Sequence, residues 1–170
     1  MSHLQTILHL NAPIQRVWAA YTDADQVGAW LPGAGNGLCA SRPLSREGAR
    51  YALSFSRWHR SSIQVVGVVP QKLHQRRFHD IAGHLRGTVT AQFEAEGDTT
   101  RLTFALNYTF APLWFDGILD RLLGPGIRRQ AERELESFQH YIERVMQPAA
   151  GHRPLLRKTV TLTMAAAPSC

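Results

Sequence analysis

The chain has 170 residues, 44% of them hydrophobic, so it can bury one core but is too short for two ordinary domains. It contains no run of about 18 apolar residues, which excludes a membrane-spanning helix, and its first residues lack the pattern of a secretion signal. Cys39 and Cys170 lie far apart in the sequence, so we expect no structural disulfide and a cytoplasmic location.

Lysine and arginine together number 19, against 13 acidic residues, which gives a net charge of +6. A basic balance favours acidic partners such as nucleic acid, anionic lipid or a carboxylate ligand. The basic clusters are short, however, and this favours a general surplus of surface arginine. The clusters occupy residues 57–60, 72–77, 128–129 and 153–158.

The first part of the chain predicts one strand and two short helices. Residues 3–10 alternate between more and less apolar side chains, as a strand does. Asn11 and Pro13 suit the start of a helix, which then carries apolar residues at helical spacing. A second short helix is predicted over 23–30, before a glycine-rich loop at 33–37.

The middle of the chain is almost entirely strand-like. Gly97 and Asp98 predict a hairpin turn between the last two strands of this region. Antiparallel strands at this spacing, each with one dry face, suit a sheet that covers something. The predicted strands occupy residues 50–58, 63–69, 72–81, 85–95 and 101–110.

Helical spacing returns after Pro112. A first helical piece is predicted over 113–123, and Gly124-Pro125-Gly126 should break or kink it. A long helix then runs from about Pro125 to Met146, and its apolar residues recur every three or four positions, which predicts one buried face against the sheet. That face comprises Ile127, Ala131, Leu135, Phe138, Ile142 and Val145.

This order of elements predicts an α+β helix-grip fold. In such a fold a curved antiparallel sheet, here of about seven strands, wraps around a long C-terminal helix and leaves an internal cavity. We expect one ligand-binding domain over residues 1–147, followed by a linker and tail over 148–170.

Several short motifs occur in the order typical of one known superfamily. They are Asn11-Ala12-Pro13 with Val17-Trp18, Trp30-Leu31-Pro32, Phe78-His79-Asp80, Asp98 to Leu102, and Tyr108 to Pro112. Over residues 4–146 the chain resembles the SRPBCC or START-like superfamily, which joins steroidogenic-acute-regulatory-type lipid transfer domains, polyketide cyclases and plant pollen-allergen proteins.

Bacterial polyketide cyclase/dehydrase-like and coenzyme-Q-binding-like members are nearest to this chain in character. The resemblance implies the helix-grip fold and a cavity for a hydrophobic ligand. The family pattern often has an acidic residue near position 104, where this chain has Phe104. That departure implies a more apolar pocket and argues against an acid at this position.

Motifs for cofactors and metals do not fit the chain. The glycines at 33–37 follow a predicted helix and precede a strand, which is the wrong order for a dinucleotide fingerprint. His74 and His79 would point to opposite faces of one strand, and no cysteine or carboxylate lies at ligand spacing. We therefore predict neither a cofactor nor a metal.

The cavity is the predicted site, with apolar walls and a few polar groups. Arg57 and Tyr108 are the candidate catalytic residues, because an inward guanidinium stabilises an enolate or carboxylate and a buried phenol can donate a proton. The alternatives are a solvated arginine and a structural tyrosine. The predicted substrate-binding residues are Tyr51, Phe55, His79, Phe104, Phe110, Trp114 and Phe115.

Two classes of function remain open. The first is a pocket protein, either a carrier of a hydrophobic or aromatic small molecule or a cyclase/dehydratase that acts on a polyketide-like chain. The second is a basic module that binds RNA or the ribosome, similar to toxin-like relatives. We favour the pocket, because aromatic residues are not interleaved with the basic ones as a single-strand binder needs. The basic module would need one exposed face built from Arg57, Arg60, Lys72, His74, Arg76 and Arg77.

Overall fold

The computed structural model describes residues 2–34, 38–54, 60–80, 82–112 and 116–146. No helix among these residues combines the length and the apolar character needed to cross a membrane. The described elements are β1 (Ser2–Leu10), α1 (Ile14–Thr22), α2 (Ala24–Trp30), β2 (Arg50–Ser54), β3 (Arg60–Val69), β4 (Leu73–Asp80), β5 (Leu85–Glu96), β6 (Thr99–Phe110) and α3 (Asp116–Met146).

The six described strands form one antiparallel sheet in the order β1-β6-β5-β4-β3-β2. Strands β2 to β6 follow one another across the sheet in chain order, and β1 pairs with β6 at the edge opposite β2. Gly97 adopts a positive φ of 64° in the tight turn between β5 and β6, which confirms the predicted hairpin. The sequence predicted about seven strands, whereas the described residues form six.

The long C-terminal helix α3 runs without a break from Asp116 to Met146, with Pro125 inside it. The helix is therefore not broken at Pro125, and a kink there stays a prediction. Proline removes one backbone hydrogen bond, but contacts on both sides of it hold the helix in place. Before Pro125, Asp116 accepts a hydrogen bond from the backbone of Phe110 at 2.7 Å. After it, Ala131 packs in the core.

The buried face of α3 matches the predicted stripe over most of its length. Ala131, Leu135, Phe138 and Ile142 are all buried in the core, which confirms that this helix faces the sheet. Val145 is 53% exposed, so its predicted burial is wrong. It lies in the final turn of α3, beyond Ile142, the last residue of this helix in the core.

Aromatic packing locks α1, α2 and α3 together at one end of the sheet. The ring of Phe138 lies 4.6 Å from that of Trp30 and 5.5 Å from that of Tyr21, measured between centroids. The Trp30 indole donates a hydrogen bond to the Ala20 carbonyl, and Ser137 donates one to the Trp30 carbonyl. Trp30 is therefore part of the core, and this half of the protein is densely packed.

We expect Phe138→Ala to lower the free energy of unfolding by about 3–5 kcal/mol, because the ring is only 1% exposed and its removal leaves a cavity between three helices. Val145→Ala, on the same helix, should change it by about 0.5 kcal/mol or less. Urea unfolding followed by tryptophan fluorescence measures both. Equal losses in the two variants would contradict this account of the core.

Candidate ligand-binding cavity

A cavity of about 750 Å³ lies between the sheet and α3, which is within the size range of small-molecule sites. Its walls come from the inner face of the sheet and from the side of α3 that faces it. Most of the lining is aliphatic or aromatic. The apolar wall residues are Leu53, Ile63, Phe78, Leu85, Val89, Phe104, Leu106, Phe110, Leu119, Leu123, Ile127 and Ala131.

Gly87 on β5 gives the Phe78 ring its position in the cavity wall. These two residues pair across β4 and β5. A β-carbon at position 87 would contact the Asn107 carbonyl oxygen and would lie 2.6 Å from the Phe78 ring. Because glycine has no side chain, the ring can lie over the backbone of β5 and line the cavity.

The cavity has a buried end and an open end. Arg76 and Phe104, which are both buried, line the end of the cavity farthest from solvent, called the dry end below. His84, Pro112 and Leu123 also line the cavity but are exposed, so it meets solvent between the β4–β5 turn, the end of β6 and the first half of α3. Apolar side chains continue onto the outer surface of α3, where Leu122 is 72% exposed.

A buried arginine forms the polar group at the dry end. Arg76 lies near the middle of the sheet, where its partners on the adjacent strands are Val65 and Val89. Its guanidinium donates hydrogen bonds to Glu134 at 2.6 Å, to the Tyr21 hydroxyl at 2.8 Å and to the Tyr51 hydroxyl at 3.1 Å. Both charged side chains line the cavity. The Arg76–Glu134 pair therefore links the sheet to α3.

The surroundings of this group favour a charged guanidinium and protonated tyrosine hydroxyls. Burial opposes the charge of Arg76, but Tyr21, Tyr51 and Glu134 outweigh it and hold the guanidinium pKa well above its ordinary value. Burial raises the pKa of both tyrosine hydroxyls, so they stay protonated. Within the described part of the chain, the Arg76 Nε atom has no hydrogen-bond partner.

Tyr108 is buried on the inner face of β6, but it is not among the residues that line the cavity. Its hydroxyl donates a hydrogen bond to Asp120 on α3 at 2.7 Å. Burial, and then this bond, raise the pKa of Tyr108. A β-carbon at Gly124 would lie 3.0 Å from the hydroxyl, so glycine allows β6 and α3 to approach closely here. A catalytic role for Tyr108 stays a prediction, and it would require the Asp120 bond to open.

The other predicted site residues fall into three groups. Phe104 and Phe110 line the cavity, as expected. Tyr51 lies on the same inner face of the sheet, where its hydroxyl accepts a hydrogen bond from Arg76. His79 is exposed on the outer face of β4, because the neighbouring Phe78 points inward and lines the cavity. The remaining four lie outside the described residues and stay predictions. They are Phe55, Arg57, Trp114 and Phe115.

Residues 11–113, more than half of the chain, match the family described as activator of Hsp90 ATPase homolog 1-like protein. The chain belongs to this family. The match confirms the predicted resemblance to the SRPBCC superfamily, and the sheet with its long C-terminal helix confirms the helix-grip fold. No curated protein matches the chain.

Solved structures with low sequence identity share this fold. DynU16, from the dynemicin biosynthetic locus, superposes with a TM-score of 0.62 at 19% identity over 84% of this chain and 48% of its own. This chain thus spans about half the length of DynU16. An uncharacterised protein from Rhizobium leguminosarum gives 0.64 at 19% identity over 84% and 96% of the two chains, and a protein from Geobacillus kaustophilus gives 0.66 at 13% identity over the same shares.

The sequence interpretation missed the Arg76–Glu134 pair. It placed Arg76 in a basic surface cluster, but His74 and Arg76 are buried, whereas the adjacent Arg77 is exposed. Two of the six residues assigned to the basic face, His74 and Arg76, are therefore not available on an exposed surface, and RNA binding stays a prediction. Alternation with the inward Phe78 was the signal that could have placed Arg76 inside.

We expect Arg76→Met to lower the free energy of unfolding by about 3–5 kcal/mol, because it leaves Glu134 mostly buried without its cation. The double variant Arg76→Met/Glu134→Met should recover much of the loss, since an apolar pair needs no charge partner. Urea unfolding of the wild type, both single variants and the double variant gives the coupling energy. Additive losses would show that the two side chains do not act as a pair.

His74 is a second buried polar group on β4. It is 1% exposed, its Nε2 atom lies 2.9 Å from the Leu44 carbonyl oxygen, and its Nδ1 atom has no partner among the described residues. Burial, and then the charge of Arg76, lower the His74 pKa from the ordinary 6.5 to about 4. The folded protein therefore holds this imidazole neutral.

His74 should make stability depend on pH. Between pH 6.5 and about 4 the unfolded chain binds a proton at this residue and the folded chain does not, so stability falls as the pH falls through that window. The loss should reach about 3 kcal/mol, at 1.36 kcal/mol for each unit of pKa. Unfolding measured at pH 7 and pH 4.5 in the wild type and in His74→Gln tests this. An equal decline in both proteins would contradict it.

Proposed function

We propose that this chain binds a hydrophobic small molecule in the cavity between the sheet and α3. The observation that carries the proposal is an apolar cavity of about 750 Å³ that opens to solvent at one end and has one charged pair at the other. Sites for small molecules combine a largely apolar lining with a few placed polar groups. The family match and the shared fold support the same conclusion.

Carriage is the role that the described side chains support best. Arg76 and Glu134 are held in structural bonds, and the Tyr108 hydroxyl is already bonded to Asp120. Phe104 replaces the acidic residue that family members often have at this position, which leaves the wall apolar. The cytoplasmic location stays a prediction, as does the division into a domain over 1–147 and a tail over 148–170.

A cyclase or dehydratase is the second candidate, and one observation favours it. Asp80 and His84 both line the cavity at its open end, and imidazole and carboxylate groups are ordinary proton-transfer groups. Asp80 also accepts a hydrogen bond from the Leu85 backbone at 2.9 Å, which orients its carboxylate. Liquid chromatography with mass spectrometry of a polyketide-like ligand recovered after incubation separates the roles, because a cyclase that loses no water returns an isomer of equal mass with a different retention time. A carrier returns it unchanged, and a dehydratase returns it lighter by one water.

Filling the cavity should weaken ligand binding. Ala131 is buried on α3 and lines the cavity, so Ala131→Trp places an indole inside it. We expect the affinity for the neutral dye Nile red to fall at least about tenfold, which corresponds to about 1.4 kcal/mol. Fluorescence titration measures this directly.

Ala105→Trp is the matched control. It adds the same indole on the outer face of β6, where Ala105 pairs with Thr90 and lies away from the cavity. Its dye affinity should equal that of the wild type. If Ala131→Trp folds and binds Nile red as tightly as the wild type does, the dye does not occupy the cavity and the proposal fails. Native mass spectrometry of the freshly purified protein would reveal a co-purifying hydrophobic ligand.

A further inference from the structure

We infer that the cavity selects neutral apolar molecules that carry an acceptor oxygen, and that it rejects the corresponding carboxylates. This inference rests on the proposed function and deepens it. The observation behind it is that the cation at the dry end already has an anion. Arg76 and Glu134 are 2.6 Å apart, and their side chains are only 6% and 14% exposed.

The charges around the cavity leave no net attraction for an anion. Four ionisable residues line it among those described: Arg76, Asp80, His84 and Glu134. Arg76 contributes one positive charge, and Asp80 and Glu134 contribute two negative ones. A carboxylate entering the cavity would lose its hydration and would meet a cation that is already neutralised. Binding an anion is therefore disfavoured.

A neutral oxygen meets a different situation, because Arg76 still has hydrogen atoms to donate. A guanidinium carries five N–H donors. Three hydrogen bonds to Glu134, Tyr21 and Tyr51 use three of them, so two remain. One of these is on the Nε atom, which is buried away from the cavity as well as from solvent, and the other is the second hydrogen of Nη1 on this cavity-lining side chain. A ketone, ester or ether oxygen can accept such a bond without bringing a charge.

The apolar wall sets the rest of the ligand's chemistry. Val89, Phe104 and Leu106 line the cavity and are buried. On β5 and β6, Val89 and Leu106 lie in the same cross-strand row as Arg76. A molecule whose oxygen reaches Arg76 thus places its hydrocarbon part against aliphatic and aromatic side chains. This arrangement fits an apolar body with one neutral oxygen at its buried end.

The test compares two compounds of nearly equal shape, 1-acetylpyrene and pyrene-1-carboxylate, as competitors that displace Nile red. Wild-type protein should bind the ketone at least about tenfold more tightly than the carboxylate. Any apolar site disfavours an anion to some degree, so the decisive quantity is how this preference changes when Glu134 is altered.

Glu134→Gln keeps the shape of the side chain but frees the charge of Arg76. The ratio of ketone to carboxylate affinity should fall about tenfold, because the carboxylate now gains a charge-assisted bond. Glu132→Gln removes the same charge from an exposed position on the same helix and should leave the ratio unchanged. If Glu134→Gln does not fold, Gln130→Lys adds a cation to the cavity lining and should move the ratio in the same direction.

Two results would overturn the inference. One is a wild-type affinity for the carboxylate that equals or exceeds that for the ketone; loss of that binding in Arg57→Leu would then assign the anion to Arg57. The other is a ratio that neither Glu134→Gln nor Gln130→Lys changes. The proposed function fails separately, since it is refuted only if Ala131→Trp leaves Nile red binding intact.

Discussion

The buried pair of Arg76 and Glu134 is the interaction that fixes how the helix sits on the sheet. Arg76 projects from the inner face of β4, between Val65 and Val89, where a charge without a partner would be strongly destabilising. Its bonds reach Glu134 on α3, Tyr21 on α1 and Tyr51 on β2. Four elements, β4 among them, thus meet at one guanidinium, and α3 forms this ion pair by turning Glu134 toward the sheet.

That orientation of α3 determines which of its residues enter the core. Glu134 lies beside Leu135 and one turn from both Ala131 and Phe138, so presenting it to Arg76 also turns the apolar stripe toward the sheet. The start of the helix is held independently, by Asp116 and Asp120, which accept bonds from the Phe110 backbone and the Tyr108 hydroxyl. Between these attachments α3 spans the sheet, and the space beneath it is the cavity.

The sequence predicted the fold well because alternation and helical periodicity report directly on burial. The strands β5 and β6, the stripe of α3 and the helix-grip order all follow from apolar spacing. The continuity of α3 through Pro125 could not be predicted from apolar spacing. It depends on contacts with Phe110 and with the core, which the local sequence does not reveal. Phe104 and Phe110 were found as wall residues for the same reason that the strands were.

The polar part of the site was harder to predict. Arg76 stands next to Arg77 and within a basic cluster, and charged residues are almost always exposed unless they are paired. Its partner Glu134 is 58 residues away, so nothing local indicates that the charge is compensated. The only indication that Arg76 is buried is that His74, Arg76 and Phe78 alternate onto the same face of β4. That indication is outweighed by the general expectation that arginine is exposed to solvent.

The interior of the protein has a densely packed half and a half that contains the cavity. Where α1 and α2 meet α3, the aromatic rings of Tyr21, Trp30 and Phe138 lie within 6 Å of one another and fill the space. Toward the first half of α3 the same sheet faces a large cavity, whose lining atoms lose the dispersion contacts of a packed core. The aromatic half keeps such contacts. Arg76 stands at the boundary, bonded to Tyr21 of the packed half while lining the cavity, so one side chain both closes the core and forms the polar end of the site.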